Sequence, residues 1–148
     1  MQKVIAGLSA AMEKYYPLFL SMPVEQQTKK NDPDGWAKKQ ELGHLVDSAQ
    51  NNIQRFIRVQ YQPSVQVSYN PDEWVRTNYY VNMNWNDLVG LWYLLNKQIV
   101  RILSAMPATE FEKLIDVGAA EPNLHTTSFI AEDYVVHMQH HLDHIFAA

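Results

Sequence analysis

"NWNDLVGLWYLLNKQIVRILSAM", residues 84–106, carries the most regular hydrophobic pattern in the chain. Leu88, Trp92, Leu95, Ile99, Ile102 and Met106 recur at steps of four, three, four, three and four, the seam of a helix packed lengthwise in a bundle. Asn84 is placed to cap its start, Asp87 sits where the helix dipole favours an acid, and Pro107 stops it. Upstream, residues 61–84 form a polar connection with Pro63, Pro71 and a short helix expected at "DEWVRTNYY". Before it, a second helix is expected from about Trp36 to Gln60, after the turn-rich "NDPDG". Its Leu42, Leu45, Val46, Ala49, Ile53, Phe56 and Ile57 fall on one side at 100° per residue. Nearest the start, Ile5, Leu8, Met12, Tyr15, Phe19 and Met22 alternate steps of three and four until Pro23. Downstream, residues 107–127 form another irregular stretch. A fourth helix follows "HTTS", capped by Thr126 or Thr127. The expectation is an all-α chain, a four-helix bundle with two long crossing connections, forming a single domain over residues 1–148.

Composition narrows the chemistry. The 148 residues are 47% hydrophobic and carry a formal charge of −4, so no basic surface invites nucleic acid. The apolar runs fall short of the roughly 20 residues needed to span a bilayer. No secretory leader is evident in "MQKVIAGLSAAMEKYYPLFL", and a cytoplasmic protein is the default expectation. Cysteine is absent, which removes disulfides, thiolate catalysis and thiolate metal ligands and leaves His, Asp and Glu as the strong ligands.

Four of the six histidines crowd into "DYVVHMQHHLDHIF", residues 133–146. On a wheel with Ile130 at the origin, His137, His141, His144 and Tyr134 all lie within about 40° of it. His137 and His141 therefore fall in the middle of the expected core-facing arc, one turn apart, with His140 at its edge. Two imidazoles at i and i+4 can share one divalent cation; a histidine-rich surface is the plain alternative. On the second helix His44 points away from the apolar stripe, together with Asp47, Asn51, Arg55 and Arg58. That strip fits either a solvated face or a polar cleft between helices, and periodicity does not choose between them.

"WAKKQELGHLVDSAQNNIQRF", from Trp36, and "EDYVVHMQHHLDHI", from Glu132, together resemble the two signature segments of the DinB-like superfamily of metal-binding four-helix bundles. The resemblance covers nearly the whole chain. It implies that His44, His137 and His141 bind a divalent metal, zinc or nickel foremost, and that His140 does not. It also implies an enzyme acting on a small molecule, by hydrolysis or by transfer involving a low-molecular-weight thiol such as mycothiol or bacillithiol. A non-catalytic metal- or ligand-binding stress protein is the alternative, and a purely structural bundle a third.

Other residues follow with expected roles. Asp47, one turn after His44, is a candidate general base or a group orienting an imidazole. Asp133 lies nearer the ligand face than Glu132. Arg55 or Arg58 is a candidate for an anionic substrate group, and Trp36, Trp74 and Tyr134 for lining a pocket. Trp92 and Tyr93 on adjacent sides of the third helix suggest a homodimer.

Overall fold

The computed structural model describes residues 1–147. Its elements are α1 (Gln2–Leu20), α2 (Val24–Gln27), α3 (Lys38–Arg58), α4 (Pro71–Asn78), α5 (Trp85–Ala105), β1 (Leu114–Asp116), β2 (Leu124–Thr126) and α6 (Thr127–Ile145). The four long helices α1, α3, α5 and α6 form the bundle. Local chemistry sets their ends. The Asn84 side chain accepts from the Asp87 N–H at 3.0 Å, and Thr126, rather than Thr127, accepts from the Phe129 N–H at 3.1 Å. The start of α3 falls at Lys38, where the Gln40 side chain accepts from the Ala37 N–H at 2.9 Å. At the other end of the chain's first helix, α1 runs through Pro17 and stops at Leu20, so Met22 lies beyond it.

Helix α5 packs along α3 and α1, and α6 packs along the same two partners. Successive long helices α1 and α3 thus occupy one diagonal of the bundle, and α5 and α6 the other. Residues 21–37 and 106–126 cross its ends, whereas residues 59–84 join neighbours. One of these connections carries the short helix expected there, and another is more ordered than the sequence suggests. Residues 59–84 carry α4, begun by Asn70 accepting from the Glu73 N–H at 3.1 Å. Residues 106–126 carry the antiparallel pair β1–β2, with Ile115 opposite His125. Main-chain bonds between Asp116 and both Val65 and Val67 pin one connection to the other. Strands of three residues leave no readable alternation, which is why the two-stranded sheet was absent from an all-α expectation.

Burial departs from the seam in an instructive way. The inward residues of α5 are Trp85, Leu88, Val89, Trp92, Asn96, Ile99 and Leu103, with Leu95 and Ile102 half-buried at the rim. A helix facing two partners buries a broader face than a coiled-coil seam. In α3, Ile57 is exposed, and Val59 enters the core instead. The polar strip of α3 does not face water: His44, Asp47, Ser48, Asn51 and Asn52 are all buried, under α4, α6 and the turn at Tyr80. No helix among the described residues is long and apolar enough to cross a membrane.

One glycine is required by this packing. A Cβ on Gly43 would lie 2.1 Å from Cδ2 of Tyr80, and the Tyr80 hydroxyl is bonded to Asp47. A Gly43→Ala protein gains about 1 kcal/mol of helix propensity. It must also displace a buried ring, at a cost of about 3 kcal/mol. The expected net loss of about 2 kcal/mol is read from a denaturant melt, and an unchanged midpoint would contradict it.

Candidate metal centre

Helix α3 delivers His44, and α6 delivers His137 and His141 one turn apart. Nε2 of His137 stands 3.2 Å from Nε2 of His44 and 3.2 Å from Nε2 of His141. Three ligand nitrogens, one from each ring, lie within 4.8 Å of one another. A tetrahedral cation with metal–nitrogen bonds of about 2.1 Å holds its donors about 3.4 Å apart, so the spacing fits such an ion. Hydrogen bonds alone satisfy the cluster poorly, because each neutral imidazole has a single N–H to give. The buried Nδ1 of His44 has no partner among the described residues. The indole of Trp36 covers the His44 ring, with centroids 4.8 Å apart.

The electrostatics favour the ligand form. Burial, then the neighbouring His141 and His137, push the His44 imidazole down to about 3. Burial and His141 push His137 down to about 4, against the pull of Asp133. Both rings are therefore neutral at pH 7, with lone pairs free for a metal.

Glu41 is the residue that the sequence reading passed over. Its carboxylate is buried and accepts from Nδ1 of His141 at 2.9 Å and from Nδ1 of His144 at 2.9 and 2.8 Å. Burial by itself would push this carboxyl up, but the bonds from His141 and His144 outweigh it and hold it below the usual glutamate range. A carboxylate accepts only, so Nδ1 of His141 must carry the proton and Nε2 presents its lone pair to the cluster. The available signal was the register: Glu41 lies one turn before His44 in "ELGH", and His144 one turn after His141.

The histidine arc needs correcting. The buried residues of α6 are Thr127, Ile130, Ala131, Tyr134, Met138, Leu142 and Ile145, so the core-facing side is centred on Tyr134 and Met138. His137 and His141 are half-buried on its flank, and His140 and His144 are exposed. The wheel counted the imidazoles as core. They instead border a cleft, as a site open to ligand requires.

Asp47 is fully buried, and Oδ1 accepts from the Tyr80 hydroxyl and from Asn78 Nδ2. Oδ2 has no partner. Burial pushes this carboxyl up to about 6, although the Tyr80 bond opposes the change. Its bonds run to α4 and the following turn and not to an imidazole. Beside the cluster opens a cavity of about 450 Å³, bordered by His44, His137, Ser48, Tyr69, Arg55 and Asp133. Arg58 instead bonds Gln62 and Gln54. Trp74 packs on Tyr69 and does not border the cavity, while Tyr134 does border it and donates to Asn96 Oδ1 at 2.6 Å. Trp92, counted on for pairing between copies, is wholly buried, and Tyr93 lies against Tyr16 with centroids 4.3 Å apart.

Among solved structures, the fold matches YfiT from Bacillus subtilis, described as a probable metal-dependent hydrolase with an unusual four-helix bundle topology. The TM-score is 0.88 at 21% identity, over 97% of this chain and 82% of that one. It also matches a mycothiol-dependent maleylpyruvate isomerase, with a TM-score of 0.78 at 10% identity, over 96% of this chain and 59% of that one. At such identities the likeness speaks for the fold. No curated protein matches the sequence. The sequence model of the DinB superfamily matches residues 8–145, and the chain belongs to that superfamily.

Proposed function

We propose that the protein is a metal-dependent enzyme acting on a small molecule, with His44, His137 and His141 holding one divalent cation, zinc or nickel. The observation that carries this reading is the convergence of three Nε2 atoms, with His44 and His137 at the edge of an open cavity. Three protein ligands leave a position for substrate, the pattern of catalytic rather than structural sites. When bound, the cation supplies Lewis acidity toward a water or a low-molecular-weight thiol, and hence hydrolysis or thiol transfer. The descriptions of the two structural relatives support it, one a probable metal-dependent hydrolase and the other a mycothiol-dependent isomerase.

The chain's own groups have distinct tasks. His44 and His137 stay neutral and present lone pairs. Glu41 fixes the tautomer of His141, and Trp36 shields His44. Asp133 contributes a carboxylate to the cavity wall and would be the acid–base group available there. The bonds of Asp47 to Tyr80 and Asn78 favour neither a base nor a group orienting an imidazole; they make it a buried anchor joining α3 to α4 and the following turn. The reading includes a cytoplasmic setting and no nucleic-acid or membrane partner. A homodimer would have to use faces other than that of Trp92, and a light-scattering mass near one chain refutes it.

Elemental analysis of protein purified without a nickel column tests the reading. About one equivalent of divalent metal per chain is expected. A metal-free protein that also refuses added zinc and nickel would overturn it. Bound metal without turnover on ester, amide, lactone and thiol-plus-electrophile panels would leave the metal site standing and identify a binding protein. Glu41→Gln keeps an acceptor for one imidazole but loses the charge. The expected result is about tenfold weaker zinc binding, and unchanged affinity would remove Glu41 from the site.

A further inference from the structure

The face of α3 that starts at His44 continues through Ser48 and Asn52 to Arg55, a single stripe bordering the cavity. Eleven residues separate His44 from Arg55, about 16 Å of helix axis. The Arg55 guanidinium is held firmly. Nε and Nη2 donate to the Val67 carbonyl at 3.2 and 2.7 Å, and Nη1 donates to Asn52 Oδ1 at 3.2 Å. Both acceptors are neutral. Guanidinium has five N–H groups, so two remain for a partner. No carboxylate lies within ion-pair distance of Arg55 among the described residues; Asp133, on α6, acts on it only at longer range.

A half-buried cation without a counter-ion is costly unless something supplies the charge. Here the fork is already oriented by Val67 and Asn52, so a ligand carboxylate could bind it with little further ordering. Asp133 borders the same cavity, which favours a singly charged carboxylate over a doubly charged phosphate. The Tyr69 and Ser48 side chains border the same cavity. Arg58, one turn further along α3, provides a natural control because its guanidinium is engaged by Gln62 and Gln54.

We propose that the cavity takes an elongated small molecule whose carboxylate is received by Arg55 and whose opposite end reaches the histidine cluster. The assignment of a reacting end rests on the metal-dependent reading above; the anion subsite does not.

The test uses the full chain as purified, with hexanoate and 1-hexanol as probes of equal chain length, followed by NMR shift titration. Hexanoate should bind about tenfold more tightly than hexanol and should move the Arg55 Nε–H resonance. That preference should disappear in Arg55→Gln and persist in Arg58→Gln. Equal binding of the two probes, failure of both to bind, a preference retained in Arg55→Gln, or an unmoved Arg55 resonance would each overturn the proposal. Should Arg55→Gln fail to fold, the wild-type preference and the Arg55 resonance decide the matter. Metal content of the same samples separates the two readings: a preference in metal-free protein upholds the subsite and counts against the metal, while bound metal without a preference does the reverse.

Discussion

His137→Ala is expected to abolish stoichiometric metal binding. His137 is the middle donor, 3.2 Å from each of the others, so its loss leaves two nitrogens that no third group bridges. Loss of a partner behind a ligand weakens metal affinity by about 10- to 100-fold, and loss of the ligand itself should exceed that range. Folding should suffer little. The ring is half-buried, and its environment already resists the charged form, so no ion pair is broken. The measurement is a thermal melt with and without zinc, beside elemental analysis. Zinc at about 100 times its dissociation constant should add about 2.7 kcal/mol to the wild type and nothing measurable to the variant. An equivalent of zinc retained by His137→Ala would show that the metal sits elsewhere.

The second large effect concerns Asp47 and has the opposite sense to ordinary acid denaturation. A carboxyl pushed up to about 6 by burial holds its proton more tightly in the folded chain than in the unfolded one. Its favourable contribution is complete below the usual aspartate value, near 3.9, and is lost as pH rises through about 6. The gap corresponds to about 3 kcal/mol. His44 and His137 act the other way. Their folded values of about 3 and 4 lie below the ordinary imidazole value, so they erode stability as pH falls from about 6.5. The wild-type profile alone therefore mixes both. The difference between Asp47→Asn and wild type isolates the carboxyl, because the imidazoles cancel. Asp47→Asn keeps an oxygen for the Tyr80 hydroxyl, and it should gain about 2.5 kcal/mol on the wild type between pH 4 and pH 8. A difference that stays flat across that range would mean that the carboxyl titrates normally.

The residues that were legible in sequence share a physical reason. Asn84 and Thr126 are short polar side chains just before long amphipathic runs, and each caps the helix it announces. The apolar positions of α3 and α5 give their faces to within one rim position. His44 was not decidable, because helical periodicity reports which side faces other helices and is silent about a polar side roofed by a connection. Residues 59–84 provide that roof, and only the folded chain brings them there. Glu41 was hidden for a different reason. An acid in the first turn of a helix is explained by the helix dipole, so nothing marks it as the partner of two imidazoles a hundred residues away. Family resemblance supplied His44, His137 and His141 as a set; the spacing within α6 alone supplied only a pair. The anchored Arg55 could not be told from a surface arginine, since its partner Val67 lies in an irregular segment.

The diagonal arrangement of α1 and α3 bears on how the chain acquires its structure during synthesis. A ribosome releases α1 and α3 first, and these two helices do not form a hairpin with one another; each finds its partner only when α5 emerges. Until then neither has a helix to cover its apolar face, and helices of about 20 residues without tertiary partners are marginal in water. The histidines of α6 arrive last of all, 93 residues after His44. On the metal-dependent reading proposed above, the ligand set is therefore assembled only after α6 has been made.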